Sequence, residues 1–350
     1  MWAARRVADP RRALPFLAVT PLRSLSPAAR GSLLVLIATG VSGMIGPILS
    51  LLYETGFNPL AFAVWRGIIG GGALWILILR RRRRDPVGHR IVFGRLSGRE
   101  RLALAGFVVC NITLNTAVFV AITRIPIAVA LLTFYTYPVL LALYGRLTGS
   151  ERIGPIKILA LVLGLVGLAL VLTVSGDTGA EPLDPFGMAL AILASVTGAA
   201  WVVFSKMISR VPAEQSMGTA LISTIFIIGG VMLVTGQIDA VAFPVWHPAS
   251  WLPIVTLCLL SGAMAAVIFT RGVQLISRVR AGVLGLTEPI VATVAAAVIL
   301  GQVLAPIQLL GGALVLAAAI LIQREQEGPM IVVRSDLPDD AEVRLPAGVL

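Results

Sequence analysis

Six stretches of this sequence, 31–53, 102–123, 125–145, 158–176, 185–205 and 215–238, hold no charged residue. Each is near or above the roughly 20 residues that an α-helix needs to cross hydrocarbon. Three more stretches share this character: 55–79 is interrupted only by Arg66, 249–270 follows a polar loop, and 281–323 is long enough for two spans parted at GQVLAPIQ. Inside a bilayer every backbone polar group must be satisfied within the protein, which leaves helices and closed barrels; barrel strands alternate in polarity and these runs do not. The expected fold is therefore an all-α integral membrane protein with ten transmembrane helices.

Composition agrees with that reading. With 57% hydrophobic and 13% charged residues and a mean hydropathy of +0.94, the chain is too apolar for a soluble domain. The formal charge of +11 does not indicate nucleic acid, because of where the charges lie. Of 28 Lys and Arg residues, six fall in 1–30, nine in 80–101, three in 146–157, three in 271–280 and three from Arg324 onward, with Lys206 and Arg210 between. The alternate loops are nearly free of basic residues and hold Glu54, Asp177, Glu181, Asp184 and Asp239. This is the positive-inside bias, and it places both termini in the cytoplasm. Arg66 and Arg124 are the exceptions. The run of arginines at 80–84 reads as a stop-transfer anchor contacting anionic lipid headgroups. Residues 1–30 read as a basic cytoplasmic extension and 324–350 as a polar cytoplasmic tail, disordered by composition.

Catalysis finds no support. His89 and His247 have no metal-ligand or nucleophile partner at useful spacing, so neither an enzyme nor a metal or other cofactor is expected. Cys110 and Cys258 fall inside spans, where packing is the usual role. No filter-like loop or ring of like charges suggests a channel.

The chain carries an internal repeat. With an offset of 151, residues 125–172 fall on 276–323, and Ile125, Thr136, Pro138, Pro155 and Ile156 land on identical residues. Each unit then holds five helices, over 31–173 and 185–323. Five is odd, so the second unit crosses the membrane in the opposite sense. Two inverted five-helix repeats are typical of secondary transporters, with the substrate site at the interface between repeats.

The segment NPLAFAVWRGIIGG at 58–71 and the pair TYPVLLALYGRLTGSERIGP and TEPIVATVAAAVILGQVLAP resemble the EamA-type branch of the drug/metabolite transporter superfamily, over about 31–323. The resemblance implies a transporter of amino acids and related metabolites. In such proteins a glycine and a glutamate precede the last helix of each repeat; Ser150–Glu151 and Gly301–Gln302 stand there, and both Glu151 and Gln302 are expected to act as helix caps.

Candidate transport residues follow from the chemistry of breaks and charges in hydrocarbon. Pro138 and Pro289 each remove a helical hydrogen bond, freeing the carbonyls of Phe134 and Gly285, and matching breaks in inverted halves point to a binding site. Asn111 and Asn115 are four apart, as are Thr133 and Tyr137, while Thr197, Trp201 and Ser205 form a stripe. Gly40, Gly43 and Gly46 share a face of the first helix and read as close packing. Arg66 and Glu288 are the charges farthest from water, and a buried charge asks for a function or a partner. Two roles compete. The charges either pair and hold the repeats together, or Glu288 exchanges a proton while Arg66 binds an anionic group such as a carboxylate.

The expected substrate-binding set is thus Arg66, Asn111, Asn115, Thr133, Tyr137, Trp201 and Glu288, with helix breaks at Pro138 and Pro289 and proton coupling at Glu288. The expected function is export or exchange of a small polar metabolite across a bacterial cytoplasmic membrane. The alternatives are an importer or exchanger of a phosphorylated or nucleotide-linked solute, or a membrane scaffold or sensor. The expected partners are a small-molecule substrate, lipids and protons, with no nucleic acid, for a monomer or homodimer.

Overall fold

The computed structural model describes residues 25–86, 90–122, 124, 125, 127–173, 184–300 and 305–324. The tail after Arg324, most of the N-terminal extension, His89, Asp177, Glu181, Gly301 and Gln302 lie outside the described residues. Among the described residues, ten helices are long and apolar enough to span a membrane: α1 Pro27–Glu54, α2 Pro59–Arg84, α3 Gly98–Ala121, α4 Val129–Leu147, α5 Pro155–Leu172, α6 Pro185–Met207, α7 Ala213–Val234, α8 Pro248–Leu275, α9 Arg278–Ile299 and α10 Pro306–Arg324.

Local sequence sets their ends. Ser26, Asn58 and Asp184 each precede a proline at the first helical position, and their side chains accept from backbone N–H groups one turn in; proline loses nothing there because its missing N–H would be unpaired anyway. Ser97 and Glu100 form a reciprocal capping box at the start of α3. Gly56 and Gly236 follow α1 and α7 with φ of 90° and 70°, the left-handed conformation in which a side chain is strained. Glu151 does not act as the expected cap. Its carboxylate pairs with Lys157 Nζ at 3.0 Å.

Helix packing repeats across the two halves. α1 lies against α8 and α9, and α6 lies against the equivalents α3 and α4; α2 crosses α7, and α5 crosses α10. Every one of these pairs joins the first five helices to the second five. Apolar surface gives helices no preference for each other over lipid, so close backbone approach through small residues holds them. A methyl group on Gly167 would meet the Gly311 carbonyl oxygen at 2.6 Å, and one on Gly311 the Gly167 carbonyl at 2.5 Å. Gly31 and Gly272 make a similar crossing of α1 with α8. Of the three glycines expected to pack on α1, only Gly43 does so, against the backbone of Glu288 and Ala292; Gly40 and Gly46 have open space where a side chain would stand. A shared helix face does not guarantee a neighbour along its whole length.

Charged ties hold the two ends. Arg124, one of the two exceptions to the loop-charge pattern, pairs with Asp184 at 3.1 Å. The backbone N–H of Phe186 and the Arg124 guanidinium together hold the Asp184 carboxyl below the usual carboxylate range. At the opposite, basic end Arg271 grips Glu214 through both carboxylate oxygens, at 2.9 and 2.8 Å, with Arg81 of the first repeat at 3.9 Å.

Candidate functional site

Both proline-bearing helices are broken where the repeat predicts. In α4 the helix stops at Phe134 and resumes at Tyr137; in α9 it stops at Gly285 and resumes at Thr287. The threonine two residues before each proline does the same thing in both copies. Thr136 Oγ1 donates to the Thr133 carbonyl at 2.7 Å and Thr287 Oγ1 to the Leu284 carbonyl at 2.7 Å, pairs related by the offset of 151. Each hydroxyl also crosses to the other repeat: Thr136 shares a hydrogen bond with Ser195 of α6 and Thr287 one with Thr39 of α1, both at 2.9 Å. Thr39 and Ser195 escaped sequence reasoning, because a lone hydroxyl in a membrane helix usually bonds its own backbone. The coincidence of Thr136 with Thr287 in the repeat was the available signal.

The two breaks meet. A methyl group on Gly282 would press on Pro138 at 2.9 Å, and the Tyr137 hydroxyl lies directly over Gly285. The Tyr137 ring is 5.6 Å from that of Phe134 and 6.4 Å from that of Tyr135. Glu288 lies ten residues into α9, about 15 Å from its start at 1.5 Å per residue, with its backbone against Gly43 of α1. Tyr135 and Tyr137 are in electrostatic range of its carboxylate. Among the described residues that carboxylate makes no ion pair and no hydrogen bond.

Arg66 belongs to a different place. It opens a π-helical turn, Arg66–Gly71, inside α2, which abuts a second π-helical segment, Leu259–Ala265, inside α8, with Gly70 and Gly262 at the contact. Such turns are rare and recur at functional sites. Its Nη1 donates to Asn115 Oδ1 at 3.3 Å, and Asn115 Nδ2 donates in turn to the Asn111 carbonyl at 2.7 Å. Arg66, Asn111, Asn115, Thr116, Phe119 and Thr224 line a small cleft of about 10 Å³ between α2, α3 and α7, room for roughly one water-sized group.

The seven expected binding residues therefore separate into three groups. Arg66, Asn111 and Asn115 share the cleft. Tyr137 and Glu288 meet at the helix breaks, with Thr133 one turn away facing Met188 Sδ at 3.8 Å. Trp201 stands apart, stacked on Phe107 at 5.4 Å and tilted against Phe269 at 5.7 Å. The ion pair considered for Arg66 with Glu288 does not form. Charge and depth are legible in a sequence, but the direction in which a helix face points is set by its neighbours.

Replacing both Pro138 and Pro289 by alanine is expected to leave the protein in the membrane, since helix propensity improves, and to lower transport about tenfold. Solute flux in reconstituted vesicles measures it, and full activity in the double variant would make both prolines ordinary kinks.

Ten spans with matching broken helices and cross-repeat pairing define an inverted-repeat membrane protein of the kind that moves solutes. The model of the EamA-like transporter family matches residues 29–173 and again 185–324, and the chain belongs to that family, within the drug/metabolite transporter superfamily. It is 28% identical over 235 residues to an uncharacterized transporter of Archaeoglobus fulgidus, covering 65% of this chain and 78% of that one. It is 27% identical over 227 residues to the threonine/homoserine exporter RhtA of Escherichia coli K12, covering 65% and 72%. A solved crystal structure superposes with a TM-score of 0.68 at 19% identity over 84% of this chain and 98% of that one, a likeness of fold alone. The chain is a multi-pass membrane transporter acting on a small molecule in a lipid environment.

Proposed function

We propose that this transporter exports or exchanges a small polar metabolite of the amino-acid class by alternating access, coupled to protons through Glu288, in a bacterial cytoplasmic membrane. The observation that carries this reading is the Glu288 carboxylate itself, unpaired among the described residues at the point where two matching helix breaks meet. A carboxyl there can be neutral or charged according to which side has access, and its partner in the charged form is left for a proton or a solute ammonium group. The loop charges support cytoplasmic termini, and the threonine/homoserine exporter among the relatives supports the substrate class. A scaffold or sensor needs neither the matched breaks nor an unpaired buried charge.

Reconstituted vesicles loaded with a panel of amino acids, threonine and homoserine included, test the reading. At least one solute is expected to leave about tenfold faster than from protein-free vesicles, faster still under an imposed pH gradient. Flux equal to that of empty vesicles across the panel would favour the scaffold.

A further inference from the structure

The Arg66 cleft holds features that helix packing does not require. A guanidinium carries five N–H donors in a planar fork, and Arg66 uses one of them on protein, at 3.3 Å from a neutral amide oxygen. That is longer than the roughly 2.7–2.9 Å of a bond to a carboxylate. No acidic residue among the described residues pairs with it. Asn111, 5% exposed, faces the same cleft, and its side-chain amide has no hydrogen-bond partner among the described residues. The Tyr53 hydroxyl of α1, in electrostatic range of Arg66, is buried and likewise unpartnered. Asn115 is turned by its bond to the Asn111 carbonyl, so its oxygen faces Arg66 and takes up only one of the guanidinium's donors. The cleft thus sets one guanidinium among neutral polar groups, with no carboxylate among the described residues to pair with it.

From this we infer that the cleft seats the carboxylate end of the transported solute. The inference rests on the transporter reading and sharpens its substrate class. Charge argues for a carboxylate over a phosphate. The cleft's other lining side chains are neutral, so a single guanidinium faces a single charge; a phosphoryl group brings up to two charges and three equatorial oxygens. A planar fork also matches a planar carboxylate through two parallel bonds. The cleft lies between α2 and α3 of one repeat and α7 of the other, so occupancy bears on how the repeats sit together. This second station is separate from Glu288 and carries the opposite sign.

Thermal unfolding of the purified full-length chain in detergent tests the seat without relying on flux. The probes are glycine, L-threonine, L-threoninamide and methyl phosphate, each against sodium chloride at equal ionic strength. The unmodified protein is expected to be stabilised by glycine and L-threonine and not by L-threoninamide or methyl phosphate beyond the chloride control. Arg66→Gln should erase the difference. Should that variant fail to fold, Asn115→Asp serves, because it places a built-in carboxylate beside the guanidinium: it should unfold at or above the temperature of the unmodified protein without any probe and no longer respond to the carboxylates. Equal stabilisation by threonine and its amide, stabilisation by methyl phosphate above threonine, or a response that survives Arg66→Gln or Asn115→Asp each overturns the carboxylate seat. Flux of amino acids from vesicles persisting alongside such a result would leave the transporter reading standing.

Discussion

Glu288→Gln is expected to reduce gradient-driven flux by roughly 100-fold or more, the size typical of losing a group that takes and releases a proton, while solute exchange without a gradient stays within about threefold. The reasoning is geometric. Gln keeps the shape and the polarity of the side chain but cannot change charge, and the helix breaks, the Tyr137 contact with Gly285 and the Gly43 contact with the Glu288 backbone do not depend on the carboxylate. Because that carboxylate has no partner among the described residues, removing it leaves no charge stranded, and folded protein should change by no more than about 1 kcal/mol. An ion pair with Arg66 would behave differently: either single change would then cost several kcal/mol, and Arg66→Met with Glu288→Gln would restore the loss. The separation of the two charges predicts that their effects add instead. Unchanged pH dependence of flux in Glu288→Gln would remove the carboxylate from coupling.

The second large effect is structural. Gly311→Leu should destabilise the bundle by about 3 kcal/mol or more, because its first side-chain carbon would stand 2.5 Å from the Gly167 carbonyl oxygen and 2.7 Å from the Val171 nitrogen. Those neighbours are backbone and cannot rotate away. The crossing of α5 with α10 would have to open along its length. Gly229→Leu is the matched control, since Gly229 has open space at that position; its effect should lie within about 0.5 kcal/mol. Yield of monodisperse protein and unfolding temperature read both variants, and equal behaviour of the two would mean that the close crossing is not what holds α5 to α10.

The candidate site was legible in parts. Pro138 and Pro289 announce their helix breaks because a missing N–H acts locally, whatever surrounds it. Asn111 and Asn115 sit together because four residues make one helical turn. The partners across helices were not legible: that Tyr137 covers Gly285, that Thr39 and Ser195 complete the hydroxyl bridges, and that Trp201 stacks on Phe107. The face of α1 through Gly40 and Gly46 was misjudged for the same reason, since spacing tells which residues share a face and not whether anything lies opposite.

Span number, the doubling of the unit and its inversion are therefore properties of the sequence itself. Apolar runs without alternating polarity cross hydrocarbon as helices of roughly 20 residues, and an odd number of them per repeat leaves the second copy no choice of direction. Which side chains complete the functional site was decided only when α1 met α9, α4 met α6, and α2 met α3 and α7. Those contacts follow from backbone approach at particular glycines. Helix packing sets Arg66 in a cleft beside Asn115 and out of pairing with Glu288, a result that no periodicity in the chain records.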